Sequence, residues 1–334
     1  MQEINTQSIP ELTRLADYLW SKGYESIPQS MRNSGFVKVM NIPNNSGDTR
    51  EITEADSNQY IETKAEGTQA KRGKVVIGDK KIIRAKRIAE NFGISFEART
   101  RGKYTEIVNG LTDLGKKPAL TLDLDLSHRF TFGTATTYKD LSGDTIDISC
   151  GDDYALFYTA HTLNGSSETY RNRLANNPQL SKGSLESMAK MGKENAMNHY
   201  GEKMAINFSI LWVTDDPIQI ATAEELTKST ASIEGVNSGV FNVHKGKYQV
   251  LILPRVATNK DGAADSDKAK YWGLVDPSLS TFTLGIWEEP TFMPGTTATE
   301  DLQTDDWEYR TRAGYGIAVI SPKGFVFSSG DATA

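Results

Sequence analysis

Few residues in this chain have side chains suited to chemistry. The histidines are His128, His161, His199 and His244, and the one thiol is Cys150. No two of them stand at a spacing that zinc sites use. The glycine-rich loops that cradle phosphates or dinucleotides are missing, and so is Gly-x-Ser-x-Gly. His161 follows the apolar run Tyr154-Ala-Leu-Phe-Tyr158 and precedes a polar loop. A packed histidine that donates a hydrogen bond to that loop is expected there, in preference to a general base. Asp123 and Asp125 alternate with Leu120, Leu122, Leu124 and Leu126, but a hard cation needs more oxygen ligands than two carboxylates supply. Tyr271, Trp272, Trp287 and Phe292 are expected as core aromatics of strands rather than a sugar platform. These residues predict no enzyme, no metal site and no cofactor.

The elements that would position these groups follow from patterning. At 334 residues, 38% hydrophobic and 24% charged, the chain can bury one large core or two modest ones. No run of ~18 apolar residues is present, Met1-Gln-Glu-Ile-Asn-Thr-Gln-Ser8 lacks the order of a secretory signal, and the lone cysteine excludes an intrachain disulfide. A cytoplasmic folding compartment is expected. Ser8-Ile-Pro-Glu11 reads as a capping box. Leu12, Leu15, Ala16 and Leu19 then make one apolar face, which stops at Gly23. An isolated helix of that length is marginal in water, so its stripe should dock on another element, by expectation on a neighbouring molecule or the inner surface of an assembly.

Gly35–Ile42 reads as a strand, and 48–79 as a polar hairpin too poor in large apolar residues to build its own core. Tyr104, Ile107, Val108, Leu111 and Leu114 predict a helix closed by Gly115, and Leu120–Leu126 a strand of period two. Further on come a helix capped by Ser184, a strand over Met204–Val213, a helix opened by Thr222-Ala-Glu-Glu225, and a fully buried strand over Tyr248–Pro254. Strands over Trp272–Ile286 and Trp307–Ile320, a Pro322-Lys-Gly turn and Phe325-Val-Phe327 close the chain.

Charge is unevenly spread over the net −6. Residues 64–117 hold fourteen Lys/Arg against six acids, a local +8, so the remainder carries −14. Glu288–Glu308 holds seven acids and no base. Such fields suit complementarity between copies of one chain, selecting register more than affinity. No aromatic interleaving marks the basic segment as a nucleic-acid footprint.

The run Asp153-Tyr-Ala-Leu-Phe-Tyr-Thr-Ala-His161-Thr-Leu-Asn-Gly165, with Arg171-Asn172, Leu180-Ser181 and Leu185-Glu186, resembles the aspartate–leucine–phenylalanine–histidine region of Mu-type phage major head proteins. These belong to the Hong Kong 97 class of tailed-phage capsid proteins. The late segment Trp307-Glu-Tyr-Arg310-Thr-Arg-Ala-Gly-Tyr315-Gly316 is similar to that class as well. The resemblance implies an α+β phage major capsid fold and a shell that encloses double-stranded DNA. An encapsulin-type nanocompartment is the alternative use of that fold.

It also implies an N-terminal arm (1–43), an extended loop (44–80), the first part of a peripheral domain with a spine helix (81–150), an axial domain (151–256), and a last segment (257–334) that holds the remaining axial strands and returns to the peripheral domain. Implied partners are further copies in hexamers and pentamers, a portal, a separate scaffold, a protease or decoration proteins, and packaged DNA, with no membrane. The implied location is the virion, after assembly in the host cytoplasm. No cleaved scaffolding segment is expected. Some members of the class join a lysine to an asparagine covalently, and Lys64, Lys71 and Lys74 lie in a suitable loop. Subunit contacts are expected at Leu12, Leu15 and Leu19, at Lys64, Lys71, Arg72 and Lys74, and at Asp301, Asp305 and Asp306.

Overall fold

A computed structural model describes residues 9–43, 47–57, 59–73, 75–231, 241–294 and 306–331. The chain opens with α1 (Ile9–Glu25) and β1 (Lys38–Asn41). Strands β2 (Thr49–Ser57) and β3 (Val75–Arg84) pair antiparallel from Thr49 opposite Arg84 to Ser57 opposite Val75. Then come β4 (Lys86–Ile94), α2 (Phe96–Thr100), α3 (Tyr104–Thr131) and four short strands, β5 (Thr137–Lys139), β6 (Thr145–Asp147), β7 (His161–Leu163) and β8 (Ser166–Tyr170). The second half holds α4 (Lys182–Asn195), β9 (Ile210–Val213), α5 (Pro217–Lys228), β10 (Gln249–Ile252), β11 (Trp272–Val275), β12 (Phe282–Pro294), β13 (Trp307–Val319) and β14 (Phe325–Ser328).

Two four-stranded sheets organise the molecule, in the orders β1-β12-β13-β4 and β10-β9-β11-β14. In the second sheet β9, β11 and β14 are buried at every residue, which is why Ile210-Leu-Trp-Val213 and Phe325-Val-Phe327 show no alternation. The parallel pair β9/β10 is joined through α5, whose N-terminus Asp216 caps by accepting from the Ile218 amide. The helix therefore begins at Pro217, five residues ahead of the expected Thr222. Likewise Ser181, not Ser184, is the cap of α4, and Ser184 completes the capping box. The expected fully buried strand at Tyr248–Pro254 is only the edge strand β10, exposed at both ends. The 204–213 strand contracts to β9.

The largest correction concerns α3. It runs on through Gly115 and Pro118 to Thr131, so Leu120–Leu126 is helix rather than strand. From Leu122 onward every residue of this helix is buried. A helix covered on all sides has no polar stripe, so its sequence loses the 3.6-residue signature. Gly115 has a packing role instead of a capping one. A Cβ there would come 2.1 Å from the Trp20 carbonyl oxygen, and one at Gly23 would come equally close to the Thr112 carbonyl. The two glycines let α1 and α3 cross in close contact.

That crossing decides the fate of the N-terminal stripe. Leu12, Ala16, Leu19 and Trp20 are buried with Ile107, Leu111, Leu114, Ile94 and Tyr309, and Leu15 packs against the same cluster. The stripe is thus covered by the chain's own α3, β4 and β13, and the expectation of an outward-facing contact at Leu12, Leu15 and Leu19 is corrected. The main core lies further along α3. Phe130 meets the rings of Phe36, Phe157, Trp212, Phe282 and Phe325 at centroid distances of 5.0–5.9 Å. These rings come from both sheets, so one continuous core binds them together.

Candidate assembly site

The β2/β3 hairpin changes character along its length. Ile83, near its foot, is fully buried beside Ile42 and Ala318. Val75 and Ile77, further out, are exposed. Residues 59–73 join the strands as exposed coil, and Ile61 is 99% exposed. Lys64, Lys71 and Arg72 lie on this outer part, with Lys71 paired to Glu62, whereas Lys74 lies outside the described residues. An ordered hairpin that holds apolar side chains in water is a surface awaiting a partner.

The outer end of the strand pair, level with Val75 and Ile77, is held to the body of the subunit by a polar cluster. Glu54 and Asp56 point from β2 at Lys323, whose ammonium lies 3.3 and 3.2 Å from them. His199 approaches from the loop after α4. Its amide donates to Asp56 at 3.0 Å, and its Nε2 lies 3.2 Å from Glu54. The missing side chain of Gly78 leaves room for that ring, since a Cβ there would sit 2.4 Å from His199 Nε2. Asp79, also on β3, accepts from the Asn164 amide at 3.1 Å.

Burial pushes the Glu54 and Asp56 carboxyls up. The hydrogen bonds from His199 and the charge of Lys323 outweigh this and leave both below their ordinary range. Asp79 makes no ion pair among the described residues. Burial, with Asp152 and Glu54 nearby, raises it to about 6 against the pull of His199 and Lys323. Glu54, Asp56 and His199 present ligand-type atoms within 4.8 Å of one another, but the Lys323 ammonium already supplies the positive charge that these carboxylates need.

His161 is indeed packed. Its Nδ1 lies 2.7 Å from Asp152, and its Nε2 lies 3.3 Å from Asn172 Oδ1. The Asn172 side chain in turn donates to the Leu156 carbonyl and accepts from the Tyr158 amide. The motif 153–172 thus folds back on itself as a hydrogen-bonded brace. Cys150 is fully buried, and burial pushes its thiol up, away from nucleophilic use. Asp123 accepts from the Met31 amide and from Arg255, while Asp125 joins Lys86 and the Tyr315 hydroxyl. Both carboxylates are structural.

The expected charge fields are partly consumed within the chain. In the basic segment Lys80 pairs with Glu51, Lys81 with Asp147, Lys86 with Asp125 and Asp140, and Lys117 with Glu90. In the acidic run Glu288 meets Arg312 and Arg87, and Glu289 meets Arg32. Asp306 is half-buried at the start of β13, and Asp301 and Asp305 fall outside the described residues.

A family model described as phage capsid protein matches residues 78–327. The chain belongs to the phage capsid protein family. No curated protein sequence matches this capsid protein. Among solved structures, it is similar to one from Mycobacterium phage Patience at 10% identity and a TM-score of 0.51, over 95% of this chain and 89% of that one. A structure from Gordonia phage Cozz matches at 13% identity and a TM-score of 0.50, over 90% and 89%. The capsid of Cyanophage P-SCSP1u matches at 11% and 0.50, over 87% and 85%. At such identities the likeness is one of fold, the Hong Kong 97 fold of tailed-phage capsids. This major capsid protein is a structural component of an icosahedral phage shell.

Sequence reasoning found the hairpin and the packed His161. It missed the Glu54–Asp56–Asp79–His199–Lys323 cluster, whose members are spread over most of the chain and share no local motif.

Proposed function

We propose that copies of this protein assemble as hexamers and pentamers into a shell around packaged double-stranded DNA, and that the hairpin is the arm each copy lays on its neighbour. The observation that carries this reading is the hairpin itself, rooted at Ile83 and tied to Lys323 at the outer end of its strands, yet holding Val75, Ile77 and, beyond them, Ile61 exposed. In this reading 44–80 is the extended loop, 81–150 with the return in 257–334 the peripheral domain, and 151–256 the axial domain. The described part of 1–43 serves as a helix packed on its own subunit rather than as a free arm. Lys64, Lys71, Arg72 and Lys74 face acids of adjacent copies, with Asp301, Asp305 and Asp306 as the first candidates.

Assembly in the host cytoplasm, a portal and a separate scaffold or protease complete the reading, in which the protein performs no catalysis. Negative-stain microscopy of the purified protein tests the shell. Hydrogen exchange tests the arm: residues 59–73 become protected in particles relative to free subunits, and equal exchange in the two states rejects the contact.

A further inference from the structure

Between the foot of the hairpin and the C-terminal end of α3 lies a cleft of about 540 Å³. Five cations line it, Lys80, Lys81, Arg84, Lys86 and Arg129, against three acids, Glu51, Asp125 and Asp147. Ion pairs account for the lysines: Lys80 with Glu51, Lys81 with Asp147, and Lys86 with Asp125. Asp125 is further occupied by the Tyr315 hydroxyl. Arg84 and Arg129 are left without a carboxylate within ion-pair distance among the described residues.

Arg129 is the more telling of the two. It is only 7% exposed. Its Nη atoms donate to the backbone carbonyls of Asp147 and Ile317, at 3.3 and 3.2 Å. Its Nε is buried with no hydrogen-bond partner. The end of the α3 dipole and two carbonyls supply partial negative charge, and Asp125 and Asp147 act on the guanidinium from beyond ion-pair distance, but each of these carboxylates is already paired with a lysine. Arg84 stands on the same cleft, exposed, and its side chain makes no hydrogen bond among the described residues. Ile82, also exposed, gives the cleft an apolar lip. Two guanidinium groups around an open cavity match a planar anion, which they hold in a fork that lysine cannot form.

We infer that this cleft is a carboxylate-binding site that a second copy of the chain fills on assembly, with Arg84 and Arg129 as its anchors. Charge complementarity selects that occupant, because the chain outside residues 64–117 carries a net −14. The inference rests on the shell reading above and adds to it a receptor distinct from the hairpin tip.

Arginine modification with phenylglyoxal, followed by peptide mass spectrometry on free subunits and on assembled particles, tests it. Arg84 should react at least about tenfold more slowly in particles. Arg84→Glu should lower the yield of particles about tenfold and leave the melting temperature of the free subunit unchanged, whereas the separate variant Arg84→Lys should keep part of the yield. Equal reactivity of Arg84 in subunits and particles overturns the site while leaving the shell intact, so the two readings fail separately. Protection of free subunits by DNA alone overturns it in favour of nucleic acid. Protection by sulfate alone, together with normal assembly of Arg84→Glu, reduces it to a small-anion site and overturns it too.

Discussion

Asp79 is the residue at which pH should act most visibly. The residue is 4% exposed, and its carboxyl accepts one hydrogen bond from the Asn164 side chain, with no ion pair among the described residues. Its folded value of about 6 lies above the ordinary 3.8. Below about pH 4 the group is protonated in both the folded and the unfolded chain and contributes no pH dependence. Between about pH 4 and 6 the unfolded chain releases the proton first, so stability falls as pH rises, and the cost is constant above that window. Asp79→Asn keeps the carbonyl acceptor and removes the charge. It should stabilise the subunit at pH 7–8 by on the order of 1–3 kcal/mol, an advantage that fades toward pH 4. Calorimetry across pH 4–8 reads this directly, and a pH-independent effect would refute the assignment. Glu54 and Asp56 have the opposite sign, because their lowered values make their contribution present at neutral pH and lost on acidification. The outer end of the strand pair thus combines groups that respond to acid in opposite directions.

At the scale of elements, the α1–α3 crossing is the contact most sensitive to a single atom. Gly115→Ala places a methyl group against the Trp20 backbone, which cannot move like a side-chain tip. Overpacking of this kind should cost about 1–3 kcal/mol, measured as a shift in the urea midpoint with an unchanged slope. A neutral outcome would mean that α1 is not seated on α3. Removal of residues 1–23 should therefore destabilise the subunit itself. The buried Leu12, Ala16, Leu19 and Trp20 go with the segment, and the apolar face of α3 is laid open. A defect confined to assembly would be the signature of an arm engaged only with a neighbour.

On the scale of the whole molecule, Phe130 joins the two sheets through rings contributed by β9, β12 and β14 together with Phe36 and Phe157. Phe130→Ala should cost about 3–5 kcal/mol. Because the core is continuous, both sheets should melt in one transition, with tryptophan fluorescence and circular dichroism moving together. Two separate transitions would show that the sheets are independent units. Charge acts at this scale as well. Each exposed ion pair between copies is worth only ~0–1 kcal/mol, so reversing Lys64, Lys71 and Arg72 to glutamate should slow assembly most at low salt. The difference should narrow as salt screens the field, and identical assembly rates at low and high salt would reduce these cations to a solvated face.

What the sequence determined by itself were the features set by near neighbours in the chain. The Leu12–Leu19 stripe, the α3 start at Tyr104, the Phe325–Phe327 strand and the polar 48–79 hairpin are all legible, because capping, one-sided burial and turn chemistry act within a few residues. The packed His161 was legible too, because an apolar run leads into it and a polar loop follows, whereas its partners Asp152 and Asn172 were not. Tertiary structure alone decided the rest. Leu120–Leu126 became helix because burial on all sides erased the stripe that marks one. The apolar face of α1 turned inward because Gly23 and Gly115 leave room for a close crossing. Lys323 reached Glu54 and Asp56, and Arg129 was left without an ion pair among the described residues, because side chains far apart in sequence meet only after both sheets have closed on Phe130. Local patterns carry no record of such meetings, and electrostatics over a few ångströms depends on them entirely.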